Sequence, residues 1–168
     1  GTTVKILGDD DRELPAGETG RIFVGNDMLF TGYTGGRGET EVVDDMLGTG
    51  DLGHFDRNGL LFISGRADDM IVSGGENIHA GEVEGLLADM EGVKEAAVVG
   101  VDDEEYGQRL AAYLVLEPGA SVDADGVRDH VKNHLARFAS PRDVEFLDEL
   151  PRNNTGKILK KELGSSAS

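Results

Sequence analysis

The chain has no cysteine, which removes disulfide frameworks, zinc–thiolate sites and thiol nucleophiles from the functions open to it while leaving its redox compartment undecided. No apolar stretch approaches the roughly 18 residues of a membrane-spanning helix, and no positively charged start leads into an apolar run. A soluble, cytoplasmic chain without a membrane span is therefore expected. Basic residues are scarce, 16 Lys and Arg against 33 Asp and Glu, giving a net charge of −17. Nucleic-acid binding needs a basic surface to displace counterions, so no nucleic-acid partner is expected, and the same charge disfavours an anionic membrane surface. Aromatic residues make up only 5%, a composition that borders on disorder when acids are this frequent. The apolar residues nevertheless fall in periodic runs, and 168 residues suffice for one ordinary domain or two small ones with a buried core.

Against this acidic background, Pro151-Arg-Asn-Asn-Thr-Gly-Lys-Ile-Leu-Lys-Lys161 gathers four of the 16 basic residues without one acid. Such an island suits an anion. Within it Gly156 frees the backbone to turn just before Lys157, whose long cationic side chain can reach a distant phosphate or carboxylate.

The first 67 residues read as short strands joined by turns: Val4 to Leu7, Gly20 to Gly25 and Leu60 to Ile63, bounded by Gly, Asp, Asn and Pro clusters, with Asp56-Arg-Asn-Gly59 as a tight turn. From about residue 78 helices and strands alternate. Ile78, Val83, Leu86, Leu87 and Met90 share a face of a helix over 79–90, with Glu82 and Glu84 where the macrodipole favours acids. Strands over 95–101 and 109–117 flank an acidic loop, Asp102 to Gly107. Val127, Val131 and Leu135 mark a helix over 123–137, a strand follows over 143–147, and a last short helix is expected near Lys157. The fold class is α+β: a small β-barrel-like subdomain, then a compact α+β domain of about 100 residues. The stretch Ser64 to Asn77 reads as a junction carrying a short strand pair, and Gly164 to Ser168 as a frayed tail.

Three short motifs carry polar chemistry. Thr49-Gly-Asp-Leu-Gly53 sets the Asp51 carboxylate between glycines, where it serves either a ribose diol or a turn as an Asx cap. Arg66, before Ala67-Asp-Asp69, offers a planar fork for phosphate or sugar oxygens, or pairs with a neighbouring acid. Ser73-Gly-Gly-Glu-Asn77 runs into the first helix, so its N–H groups either face an anion at a helix start or form a plain turn. It is not a P-loop, because GxxxxGK[ST] is absent. The four histidines show no metal-ligand spacing, and Ser64, Ser73 and Ser140 have no base nearby in sequence.

In this order Thr49-Gly-Asp-Leu-Gly53, Gly65-Arg-Ala-Asp-Asp-Met-Ile71, Ser73-Gly-Gly-Glu-Asn-Ile78 and Pro151-Arg-Asn-Asn-Thr-Gly-Lys157 resemble the successive C-terminal signatures of the adenylate-forming, AMP-binding superfamily. Gly17-Glu-Thr-Gly-Arg-Ile22 and Thr31-Gly-Tyr33 extend the resemblance upstream. Ala80-Gly-Glu-Val-Glu84 and the Asp103-Glu-Glu-Tyr-Gly107 loop are similar to the acyl- and aryl-CoA synthetase branch, with a fatty-acid–CoA ligase as the specific expectation. A fatty acyl-AMP ligase, an aryl-CoA ligase and a non-catalytic nucleotide- or CoA-binding module are the alternatives.

The resemblance implies roles residue by residue. Asp51, Ile63 and Arg66 would bind the nucleotide, the acid through the ribose hydroxyls and Ile63 by packing near the arginine. Lys157 would be the catalytic lysine of adenylation. Asp68 would be the hinge about which the C-terminal domain rotates between half-reactions, and Ser73, Gly74 and Gly75 would form the face past which coenzyme A delivers its thiol. The implied partners are a carboxylic acid, ATP with magnesium, and coenzyme A. The family's phosphate loop, acyl pocket and magnesium ligand are expected upstream. The implied domains are 1–67, the last β-rich part of a large N-terminal domain, and 68–168, the mobile C-terminal domain. Such a portion is expected to be inert alone.

Overall fold

The computed structural model describes residues 1–26 and 41–164, so Thr31-Gly-Tyr33 and the tail beyond Gly164 lie outside the described residues. The chain divides into two compact units, Gly1–Asp68 and Asp69–Ser168.

In the first unit β1 (Thr2–Leu7), β2 (Gly20–Asn26), β3 (Val42–Val43), β4 (Met46–Phe55) and β5 (Leu61–Arg66) form an antiparallel half-barrel sheet. Its order is β1-β2-β4-β3, with β3 and β5 pairing successive stretches of β4. Leu7, Phe23 and Met46 form its buried cluster. The turn expected at Asp56 joins β4 to β5: the Asp56 carboxylate accepts the N–H groups of Asn58 and Leu60, both at 2.8 Å.

Two features differ from expectation. The glycine-rich stretch 46–55, absent from the expected strands, is the ten-residue β4. Its glycines mark close approach: a Cβ on Gly53 would lie 2.3 Å from the Phe62 carbonyl oxygen and 2.9 Å from Ile22 Cδ1. And β5 continues through Ser64 and Gly65 to Arg66, because Arg66 pairs with Asp51 in the β4–β5 ladder.

The second unit opens with β6 (Met70–Ser73) and β7 (Glu76–His79), the short strand pair expected of the junction. Next come α1 (Ala80–Ala88), β8 (Val93–Asp103), β9 (Gly107–Leu116), α2 (Ala124–His134), β10 (Asp143–Phe146) and α3 (Lys160–Gly164). The sheet runs β10-β9-β6-β7, with β8 also on β9. Only β10 among these described strands pairs in parallel, as a strand returning through the α2 crossover must. The expected acidic loop shrinks to residues 104–106, because the β8–β9 ladder runs to Asp103 and Gly107.

Period-two alternation decides what each face of β8 and β9 holds. Val98, Leu110, Ala112 and Leu114 join Val83 and Leu87 of α1 and Val127 and Val131 of α2 in one core. Ala97, Val99, Ala111, Tyr113 and Val115 point the other way, onto Leu150 and Leu163 with Ile158 against them. Both faces are covered, so these strands read as continuous apolar runs. The second face anchors the C-terminal segment: each fully buried leucine there contributes roughly 1.5–3 kcal/mol, and the buried Tyr113 hydroxyl donates to the Leu163 carbonyl at 2.7 Å.

Helix ends shift for local reasons. Asp123 caps α2 by accepting the Gly126 N–H at 2.7 Å. The helix stops at His134 because Leu135 turns extended to pack on the core, and a 3-10 turn, Arg137–Ala139, buries Ala139 beside it. α3 starts at Lys160, later than expected, because residues 152–158 close on themselves through an Arg152–Ile158 bridge.

Candidate functional site

In the first unit β4 and β5 bring Asp51 and Arg66 together from 15 positions apart. Arg66 Nη1 lies 3.2 Å from both Asp51 Oδ1 and the Thr49 carbonyl, and Nη2 lies 3.6 Å from Asp68 Oδ2. Asp51 sits in a strand, which removes the turn-cap alternative. Its N–H goes to Thr49 Oγ1 at 3.1 Å, and that hydroxyl donates to the Ile22 carbonyl at 3.2 Å. Gly50 makes room for the arginine: its φ is +78°, and a Cβ there would come within 2.8 Å of Arg66 Nη2. The pair remains accessible, with the Asp51 side chain 30% exposed and the Arg66 side chain 51%. One carboxylate oxygen and part of the guanidinium fork are thus left for a sugar or phosphate. Ile63 lies exposed on β5 opposite Gly53. Asp68 is exposed in the 3-10 turn Ala67–Asp69 and is the last residue of its unit.

In the second unit Gly74 and Gly75 are the two central residues of the β6–β7 hairpin, with φ of +59° and +83° and Ser73 paired to Glu76. Two successive positive φ values are what a type I′ turn requires, and glycine meets that need. The turn lies four residues ahead of α1, so its amides do not sit at a helix N-terminus, and of the two alternatives for this stretch the plain turn is the one formed. A Cβ on Gly75 would meet nothing within 4 Å.

The basic island is only half free. Arg152 pairs with Glu95 of β8, and Lys160 lies 2.6 Å from Glu84 of α1 and 3.4 Å from Asp69. Glu84 also accepts the Val98 N–H at 2.9 Å, so it serves packing rather than the α1 dipole. Lys157, exposed on the returning arm of the loop where its carbonyl accepts the Asn153 N–H at 2.9 Å, has no ion-pair partner among the described residues. Its loop is prearranged by Asn153, whose Oδ1 accepts the Thr155 N–H at 3.0 Å, the Thr155 hydroxyl at 2.7 Å and the Lys157 N–H at 2.9 Å. Gly156, at φ +85°, completes the turn. A single side chain thus fixes the backbone that carries the exposed Lys157.

Among the described residues no group of three or more His, Cys, Asp or Glu side chains could hold a metal ion, and no helix is long and apolar enough to cross a membrane.

Residues 82–157, from α1 to Lys157, match the AMP-binding enzyme C-terminal domain. Over 166 residues the chain is 39% identical to the sulfoacetate–CoA ligase of Cupriavidus necator, covering 97% of this chain and 33% of that protein. It is 38% identical over 163 residues to the indoleacetate–CoA ligase of Aromatoleum aromaticum, covering 96% and 32%. Among solved structures, ATP-bound MatB from Rhodopseudomonas palustris superimposes with a TM-score of 0.85 at 34% identity, over 99% of this chain and 34% of that one. The chain belongs to the AMP-binding enzyme family.

It spans about a third of the length of these AMP-binding relatives. Two contributors in this family member went unassigned in sequence. Thr49 shows the hydroxyl-to-i+2 pattern that Ser and Thr use in turns, and Asn153 heads an Asx pattern ahead of Thr-Gly. Both are recognisable locally, whereas the Asp51–Arg66 pairing needs the β4–β5 register.

Proposed function

We propose that this chain is the C-terminal portion of an ATP-dependent acid–CoA ligase. In the first half-reaction a carboxylate oxygen attacks the α-phosphorus of ATP, giving an acyl-adenylate and pyrophosphate. In the second, the thiol of coenzyme A attacks the acyl carbonyl and AMP leaves. The observation that carries the reading is the Lys157 ammonium, without an ion pair among the described residues, on a loop held by Asn153, while Arg152 and Lys160 of the same island are neutralised by Glu95 and Glu84. An ammonium so placed stabilises charge developing between carboxylate and α-phosphate without donating a proton.

Asp51 accepts hydrogen bonds from the ribose hydroxyls through the oxygen Arg66 leaves free, Arg66 reinforces the same nucleotide, and exposed Ile63 offers it an apolar surface. Asp68 is the hinge, at the end of the first unit, about which Lys157 departs after adenylation. The Ser73-Gly74-Gly75 turn then serves the thiol, and the open space around a Gly75 Cβ supports a narrow arm passing the backbone there. Dependence on ATP and coenzyme A goes with a cytoplasmic site of action. Magnesium would accompany ATP on ligands other than the described residues, which hold no cluster for it.

For the acid we propose a fatty acid, with sulfoacetate and indoleacetate, named for two relatives, as the competing classes. The test supplies the intact enzyme with ATP, coenzyme A and a panel of fatty, aryl and sulfonated acids, following AMP and acyl-CoA. Acid-dependent formation of both products is expected, fastest with fatty acids. AMP-free hydrolysis of ATP, or turnover by residues 1–168 alone, would contradict the reading.

A further inference from the structure

The Gly74–Gly75 turn is held from outside its own hairpin. Gly74 donates its N–H to the Tyr106 carbonyl at 2.9 Å, Ser73 pairs with Gly107, and the Val72 N–H goes to Gln108 Oε1 at 3.0 Å. The wall behind the turn is therefore the β8–β9 connection, residues 104–106.

One carboxylate shapes that connection. Asp103 Oδ1 accepts the N–H groups of Glu105 and Tyr106, each at 3.0 Å. Its Oδ2 faces Arg142 Nη1 at 3.1 Å and Arg109 Nη1 at 3.8 Å, and its side chain is only 10% exposed. The Arg142 guanidinium also lies over the Tyr106 ring, 5.1 Å from its centre, pressing the same residue from its side-chain end. The Tyr106 N–H above all, with the second N–H and both guanidiniums, holds the Asp103 carboxyl below the usual carboxylate range. The β8–β9 hairpin itself does not need this carboxylate, since its register is fixed by a ladder from Val93–Leu116 to Asp103–Gly107. Besides its ion pairs with Arg142 and Arg109, what the side chain adds is the conformation of the tip, and the Tyr106 carbonyl of that tip is what Gly74 binds.

We propose that Asp103 is a positioning residue for the thioester-forming half-reaction: through Tyr106 it fixes the Gly74–Gly75 turn past which the thiol is delivered. This rests on the reading of that turn given under Proposed function. Adenylation depends on the Asn153–Lys157 loop, with which Asp103 shares no hydrogen bond, so the two half-reactions respond differently.

The experiment compares wild type, Asp103→Ala and Arg142→Gln by hydrogen exchange at residues 73–76 of the full chain and by single-turnover rates of each half-reaction in the intact enzyme. In Asp103→Ala, Gly74 exchange is expected to accelerate and acyl transfer from pre-formed acyl-adenylate to slow roughly ten- to a hundredfold, the scale of a small misplacement, while adenylation stays near wild type. Arg142→Gln moves both in the same direction by less, and it decides the matter if Asp103→Ala does not fold. Unchanged Gly74 exchange overturns the positioning role and leaves the reading of the turn standing. Faster exchange with unchanged transfer overturns that reading, and the proposal with it. Equal slowing of both half-reactions shows a general structural role and overturns the proposal.

Discussion

Replacing Gly50 with alanine separates backbone strain from disruption of the Asp51–Arg66 pair. Gly50 adopts φ +78°, so any L side chain there is strained by roughly 1–2 kcal/mol. The added Cβ would also come within 2.8 Å of Arg66 Nη2. The tip of a flexible arginine yields before backbone does, so the guanidinium leaves Asp51 and Thr49. Losing that exposed ion pair costs the fold only about 0.2–1 kcal/mol. With Arg66 aligned on the nucleotide as proposed, the change would remove charged hydrogen bonds worth roughly 1.5–3 kcal/mol, about ten- to a hundredfold in ATP KM. Gly59→Ala is the control: φ is +81° there, yet a Cβ would meet nothing within 4 Å. Denaturant midpoints and ATP KM measured for both variants should show similar losses of stability and a raised KM for Gly50→Ala alone. A KM raised equally in both, or in neither, would refute the placement of Arg66 as a nucleotide ligand.

Asp68→Pro should impair thioester formation more than adenylation, and equal losses in single-turnover assays of the two steps would count against a hinge there. Tyr113→Phe leaves the Leu163 carbonyl without its buried donor and should destabilise the second unit by roughly 1–3 kcal/mol in denaturant unfolding; an unchanged midpoint would show that this hydrogen bond does not help to hold α3. Asp56, whose pKa is lowered chiefly by the Leu60 N–H, binds its proton less readily folded than unfolded. Its contribution is therefore complete above the unfolded value of about 4 and is lost as pH falls through the folded one. The stability gap between wild type and Asp56→Ala should shrink on acidification, and a constant gap would contradict the assignment.

The α1 and α2 periodicities and the apolar runs of β8 and β9 were legible because burial leaves a direct imprint on spacing. β4 was not, since close packing of Gly53 on Phe62 and Ile22 demands the residue that also signals turns. Asp51, Arg66, Lys157 and the Gly74–Gly75 pair could be named from short motifs, but their partners could not. Arg66 finds Asp51 through strand register, and Asp103 meets Arg142 across 39 positions. The island holds no acid of its own, yet Glu84 and Glu95 lie far from it in sequence and neutralise two of its members. Residue type announces chemistry, and distant pairing decides which charge remains available for it.

Everything turns on Lys157 serving one half-reaction and not the other, and Lys157→Ala tests this most directly. Its side chain is exposed and without an ion pair among the described residues, so folding should be unaffected. In the intact enzyme acyl-adenylate formation should fall by roughly two orders of magnitude or more, while transfer of supplied acyl-adenylate to coenzyme A proceeds near the wild-type rate. Unchanged adenylation, or equal loss of both steps in a folded variant, would contradict the account.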